Sequence, residues 1–239
     1  MTNNLVILPT YNEEANVSKL IHRILKYISD VDILIVDGAS IDATEKIVRE
    51  IAVRNSKVHF LKEDKKSGLG KAYLTGFNWG LANGYSKLIE MDCDLSHRVR
   101  DLVNLLQVKE YDLVIGSRWI KGGHVENWSR QRKRLSRFAN KYVEFFLKLG
   151  IADSTSGFRV YSSELLENID FNSIKSEGYA FQIEMTLAAR KLDAKIVEVP
   201  IIFREREFGK SKISRAIVFE AMFRVTVWGL RRIGGGGGI

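Results

Sequence analysis

Apolar residues along this chain fall into two kinds of pattern. Short continuous runs, Leu5-Val6-Ile7-Leu8 closed by Pro9, Ile33-Leu34-Ile35-Val36, Val58-His59-Phe60-Leu61, Lys87 to Met91 and Asp112 to Gly116, have the length and composition of buried strands. Between them apolar residues recur at helical spacing. Val17, Leu20, Ile21, Ile24, Leu25 and Ile28 mark a first amphipathic helix that Asn12 or Asn16 can cap. Ile47, Val48 and Ile51 mark a second. Ala72, Phe77 and Leu81 mark a third that ends near Gly84, and Val99, Leu102, Val103 and Leu106 a fourth. Strand and helix alternate five times. The pattern predicts an α/β fold with a mostly parallel, doubly wound, Rossmann-like sheet and right-handed crossovers.

The second half is less regular. It predicts a helix from about Leu135 to Leu149, a polar loop at Asp153 to Gly157 and a strand at Phe158 to Tyr161. A helix at Phe181 to Leu192 follows, then a strand-like segment from Ile196 to Phe203 around Pro200. The last helix runs from Ile213 to Arg232, and the tail 234–239 reads as flexible. With no internal repeat and no linker, residues 1–233 read as one domain. Most of the circumference of the last helix is apolar, and Glu220, Arg224 and Arg231 fall on one narrow stripe. Such a helix suits a membrane surface, 213–233 lying in the interface, or alternatively a protein core.

Composition narrows the class. The chain has 239 residues, 45% apolar and 28% charged, as in a soluble globular protein. A formal charge of +8 suggests an anionic partner: nucleic acid, a phosphorylated substrate or an anionic lipid surface. One cysteine, Cys93, excludes an internal disulfide and a cysteine zinc site. The first residues lack a basic, then apolar leader, and nothing reaches the ~18 uninterrupted apolar residues of a spanning helix. The chain is therefore expected in the cytoplasm, free or peripherally bound to the cytoplasmic face of a membrane.

In doubly wound sheets, ligands bind at the carboxyl ends of the strands. Here those ends carry Pro9 to Glu13, Asp37 to Asp42, Asp92-Cys93-Asp94 and Arg118. One site built from all four is the economical reading. Asp92 and Asp94, one residue apart after a strand, can reach one hard cation such as Mg²⁺ or Mn²⁺. Two other signatures fail. Gly209-Lys210-Ser211 lacks the first glycine of a phosphate-binding P-loop, Arg204 standing in its place, and Gly68-Leu69-Gly70 lacks the third glycine of a dinucleotide fingerprint. The run Arg130, Arg132, Lys133, Arg134 and Arg137 is open to three readings: a solvated helix face, a nucleic-acid grip, or a clamp on a phosphorylated substrate. No interleaved aromatics and no known motif favour nucleic acid.

The motifs Leu8 to Glu13, the Asp37 loop, Met91 to His97 and Gly116-Ser117-Arg118 resemble those of GT-A-fold family 2 glycosyltransferases. Gly123 to Ser129, Ser156-Gly157-Phe158-Arg159, Gly178 to Met185 and Gly209-Lys210-Ser211-Lys212, in this order, narrow the resemblance to the polyprenyl-phosphate branch, typified by dolichol-phosphate mannosyltransferases. It spans about Leu5 to Ile217. The resemblance implies a sugar nucleotide, GDP-mannose first, held by Pro9, Tyr11, Glu13, Val36, Asp37, Lys66, Asp92, Cys93 and Asp94. It implies a divalent metal at Asp92, Asp94 and Ser96. It also implies an acceptor phosphate at Arg118, Arg132, Ser156, Arg206 and Lys212, with Asp94, Arg118 and Arg132 closest to the chemistry. Two departures stand out: Gly38 replaces the second of the usual paired acids, and Ser96 stands where many relatives have Gln.

Other residues have plainer readings. Glu184 is expected to be a paired structural acid, Trp128 core or acceptor groove, and His97 a polar residue at a helix start. The function implied is inverting transfer of mannose from GDP-mannose to a polyprenyl (dolichyl-type) phosphate, with UDP-glucose or another donor as the alternative. A non-catalytic phosphate or nucleic-acid binder is the competing class, and the paired carboxylates argue against it because without a metal they repel phosphate. No general base is expected, because a phosphate acceptor is already an anionic nucleophile.

Overall fold

A computed structural model describes residues 3–205 and 215–233. The first half follows the periodicity. β1 (Asn4–Thr10), α1 (Val17–Tyr27), β2 (Asp32–Asp37), α2 (Thr44–Arg54), β3 (Val58–Lys62), α3 (Leu69–Ala82), β4 (Lys87–Glu90), α4 (Val99–Leu106) and β5 (Leu113–Ser117) succeed one another. After them come β6 (His124–Val125), α5 (Arg130–Leu147), β7 (Arg159–Ser162), α6 (Ser163–Asn168), α7 (Gly178–Lys191), β8 (Ile196–Pro200), β9 (Ile202–Phe203) and α8 (Arg215–Ile233).

The main sheet has the order β3-β2-β1-β4-β7-β5-β8. It is mostly parallel, but β7 runs antiparallel to both β4 and β5 and separates them. Local pattern shows that β7 is a strand and is silent about this insertion. The strands read as continuous apolar runs because both faces are covered. Leu5 and Ile7 point into a core with α3, α5, α6, α7 and α8, while Val6 and Leu8 point into a second core with α1, α2 and α4. Pro200 sits in the edge strand β8, where a missing backbone donor is tolerated. α3 approaches the sheet closely through Gly76 and Gly80. A Cβ added at these positions would lie 2.5 Å from Ile7 Cγ2 and 2.5 Å from Leu88 Cδ2 respectively.

Two expectations are corrected, and of the two readings left open for the last helix a core contact is seen. Asn16 holds the N-cap position of α1 but makes no side-chain cap bond, its amide donating to Glu13 Oε2 instead, and Asn12 Oδ1 accepts from Ile41 N. α5 starts at Arg130 rather than Leu135, because Ser129 is its N-cap and its hydroxyl accepts from Arg132 N at 3.2 Å. The arginine run therefore forms the first two turns of a helix. α8 packs one flank on the protein core, burying Ala221, Val225 and Trp228, with Gly229 against Phe146 and Thr226 bonded to Tyr142. No helix among the described residues is long and apolar enough to cross a membrane.

Candidate active site

The carboxyl ends of β1, β2 and β4 meet at one edge of the sheet, and each turn holds a non-glycine residue at positive φ: Asn12 at 58°, Ala39 at 59° and Leu95 at 63°. Such conformations are costly for L-residues and concentrate where a site fixes the backbone. Asp37 is fully buried. Its oxygens accept from Thr10 Oγ1 at 2.8 Å, Ser40 Oγ at 2.6 Å and Ser40 N at 2.9 Å, so it stitches the first two loops together. Lys66 brings its ammonium 4.1 Å from the centre of the Tyr11 ring, which puts the third loop over the first. Glu13 anchors the start of α1, accepting from Asn16 through its side chain while its backbone N–H donates to Thr44 Oγ1. The side chains of Val36 and Cys93 are buried in the two cores, which leaves only their backbone to line a site.

Asp92 and Asp94 follow β4. The turn closes on a bond from Ser96 N to Asp94 Oδ1 at 3.0 Å, and the buried Ser96 hydroxyl has no hydrogen-bond partner among the described residues. His97 is buried between Phe158 and Phe203, its ring centre 4.6 Å and 5.1 Å from theirs. Its Nε2 lies 3.4 Å from Asp92 Oδ2, out of line for a hydrogen bond, and neither ring nitrogen has a hydrogen-bond partner among the described residues. This places His97 beneath the carboxylate turn; α4 begins only at Val99. Two carboxylates and a spare hydroxyl are a hard-oxygen set that fits a divalent cation whose other positions come from water or substrate phosphate. Among the described residues no cluster of three or more His, Cys, Asp or Glu offers a complete cage.

Glu90 lies below this turn, fully buried. Burial raises its pKa to about 7, and nearby Arg159 only partly opposes that rise. Burial likewise pushes the Tyr73 hydroxyl well above its usual range, reinforced by the charges of Asp92, Glu90 and Asp94.

Across the cleft, β5 delivers Arg118. Its Nε and Nη2 donate to the two oxygens of Asp153 at 2.7 Å each, and its backbone N donates to Oδ2 at 2.9 Å. Burial works against the guanidinium charge, and the Asp153 carboxylate more than offsets it, with Tyr179 and Asp92 contributing. Glu198 of β8 in turn accepts from the backbone N–H groups of Ala152 and Asp153. Trp119, Trp128 and Phe203 surround Arg118, their ring centres 5.5–5.8 Å from Cζ. Arg132 stacks on Trp128 at 3.9 Å and pairs with the exposed Glu205 at 2.7 Å. Trp128 is therefore shared between core and cleft.

Ser156, expected at the acceptor phosphate, is buried and donates to Gly116 O at 2.6 Å, so it braces the end of β5. Glu184 is structural, accepting from Lys175 N and Ser176 N. Arg206, Lys212 and the loop around Gly209 lie outside the described residues. Sequence reading missed Asp153, Arg159, Glu198 and Glu205. The one available hint was the polar loop Asp153 to Gly157, and nothing local marks its aspartate as buried beneath an arginine.

A sequence model described as Glycosyl transferase family 2 matches residues 5–170. The polyprenol monophosphomannose synthase of Mycolicibacterium smegmatis is 46% identical over 230 residues, covering 95% of this chain and 87% of that protein. An undecaprenyl-phosphate mannosyltransferase of Micrococcus luteus is 44% identical over 227 residues, covering 95% and 93%. In fold, the chain resembles glucosyl-3-phosphoglycerate synthase from Mycobacterium tuberculosis, solved with Mn²⁺ and UDP, at a TM-score of 0.68 and 20% identity, covering 97% of this chain and 79% of that one. It also resembles a mannosyltransferase from Pyrobaculum calidifontis solved with GDP-Man and Mn²⁺, at a TM-score of 0.57 and 16% identity, covering 99% and 76%. With the sheet-edge site and these relatives together, the chain belongs to glycosyl transferase family 2 and is a glycosyltransferase.

Proposed function

We propose that the protein transfers mannose from GDP-mannose to a polyprenyl phosphate with inversion, at a lipid surface, assisted by Mg²⁺ or Mn²⁺. The observation that carries the acceptor half is an apolar groove of about 330 Å³ between α5, α7 and α8, lined by Leu135, Tyr142, Ile183 and Met222, with Arg132 at one end. A cation at the end of an apolar groove suits an anionic head on a hydrocarbon chain and does not suit a free sugar. The two relatives above 40% identity, named for polyprenol and undecaprenyl-phosphate mannosylation, support the same reading.

Asp92, Asp94 and the Ser96 hydroxyl would hold the cation, which neutralises charge on the departing nucleoside diphosphate. Tyr11 and Lys66 close over the nucleotide. Arg118, locked by Asp153, keeps Nη1 unengaged by any described residue and directs it at an incoming anion. Arg132 exchanges the Glu205 carboxylate for the acceptor phosphate, whose oxygen attacks without help from a base. Incubation with labelled GDP-mannose, Mn²⁺ and a polyprenyl phosphate should move label into an organic extract. Label that remains aqueous, with UDP-sugars equally inert, refutes the reading. Asp94→Asn should lower kcat on the order of 10²–10³-fold with the thermal transition unchanged, as for loss of a preorganised charge-stabilising group.

A further inference from the structure

Among the described residues, exposed phenylalanine is concentrated on two helices. Of the described phenylalanines three are exposed, Phe138 at 57%, Phe145 at 76% and Phe223 at 70%, and all belong to α5 or α8. The two helices are packed side by side through Tyr142 with Thr226 and Phe146 with Gly229. Leu135 and Leu230 extend the same two helices' exposed apolar surface. α5 also carries six cations, Arg130, Arg132, Lys133, Arg134, Arg137 and Lys141, against one acid, Glu144. Among the described residues only Arg132 of the six has an ion-pair partner. Arg134, Phe138, Lys141 and Phe145 follow one another at steps of four, three and four, so apolar and cationic side chains share one outward stripe.

Beside that stripe lies a second cavity, of about 420 Å³, separate from the apolar groove. Arg137, Asn140, Lys141 and Glu144 of α5 form one wall, with Glu144 accepting from Gly150 N, and Trp119 with residues 150–152 forms the other. The Arg137 guanidinium stands 5.0 Å from the Trp119 ring centre. Unpaired cations around a cavity attract a phosphate, and phenylalanines on the same helix side attract the acyl boundary beneath it. A bilayer containing anionic lipid offers both at this spacing, whereas a soluble phosphorylated compound offers only the first.

We infer that the protein docks on anionic membrane through α5, with Phe138 and Phe145 in the lipid interface and a lipid phosphate held by Arg137 and Lys141 at the mouth of the Trp119 cavity. α8 is the accessory, contributing Phe223 and Leu230 beside a flank that is packed on the core. The inference rests on the proposed lipid acceptor only for its purpose, since docking is read without any sugar transfer. Docking through this stripe brings to the bilayer the helix that also carries Arg132 and one wall of the apolar groove.

The test is sedimentation of the intact protein with vesicles of phosphatidylcholine alone and of phosphatidylcholine mixed with phosphatidylglycerol. The parent should bind the mixed vesicles and release them at high salt. Phe138→Ser with Phe145→Ser should weaken binding on the order of tenfold or more. Lys141→Gln should weaken it about fivefold, as for loss of one cation near an anionic surface. Both variants should keep normal kcat on a short, water-soluble prenyl phosphate. Undiminished binding by the Phe138/Phe145 variant overturns the inference, as does conversion of a dimer to a monomer by the same changes with vesicle binding intact. Equal competition by glycerol phosphate and by phosphatidylglycerol vesicles would also overturn it, because the cavity would then read a free phosphate and not a membrane.

Discussion

At the residue scale, two buried charges set the behaviour of the site. Arg118 and Asp153 form a pair with almost no solvent access, held by two bonds of 2.7 Å. Removing one partner from such a pair strands the other, at a cost of about 3–5 kcal/mol. Asp153→Asn should therefore lower thermal stability sharply and reduce kcat, since Arg118 loses its fixed direction. A melting curve and a turnover assay below the new transition check both. Glu90 gives the opposite kind of prediction. Burial lifts its carboxyl pKa from the ordinary 4.5 to about 7. Between these values the unfolded chain ionises first and the folded state retains the proton, so stability falls as pH rises. The loss is on the order of 3 kcal/mol and levels off above about pH 7. Metal-free protein should show this slope in urea titrations from pH 5 to 8. Glu90→Gln should flatten it, and an unchanged slope would assign the pH dependence to another group.

At the scale of elements, close approach decides what the chain tolerates. α3 carries Gly76 and Gly80 one turn apart against Ile7, Leu5 and Leu88, all fully buried. Gly76→Ala gains helix propensity of about 1 kcal/mol, but its methyl would sit 2.5 Å from Ile7 Cγ2. Overpacking of a closed core costs about 1–3 kcal/mol, so the net effect should be destabilising, by denaturant titration. The same elements show what local pattern can carry. β1 to β5 and their helices were legible because each buries a periodic apolar face, and the carboxylate turn after β4 was legible because strand ends in this topology converge. The start of α5 was not, because five cations in its first two turns hide the periodicity, and its signal, a serine N-cap, is a single hydroxyl. Asp92, Asp94 and Arg118 were legible as charges at strand ends, and Arg132 as one of a run of cations and through the family resemblance. Asp153 and Glu205, which hold the two arginines, lie 35 and 73 residues away from them in sequence and meet them only through the fold.

At the scale of the whole molecule, β7 is the piece that makes one unit of two halves. It inserts between β4 and β5, and its first residue, Arg159, is fully buried. The guanidinium donates to the backbone oxygens of Ser154 and Ser156 at 2.9 and 2.7 Å, to Gln182 O at 2.9 Å, to Thr186 Oγ1 at 3.0 Å and to Tyr161 OH at 3.3 Å. It thus ties the loop that carries Asp153 to α7, which lies beyond the matched residues 5–170. The site needs both halves for a physical reason: Arg118 is aimed by Asp153, Asp153 is positioned by its loop, and that loop hangs from Arg159. Lysine keeps the charge at 159 but has three donors on a point charge in place of a planar fork, so two or more buried acceptors lose their partners. Each unsatisfied buried group costs about 1–3 kcal/mol. Arg159→Lys should therefore lower stability by about 3 kcal/mol and, well below its melting temperature, reduce kcat while leaving the KM for the sugar nucleotide near normal, because the donor loops at β1, β2 and β4 do not hang from this network. A variant that melts early yet turns over at the parental rate would show that Arg159 braces the core without positioning Arg118.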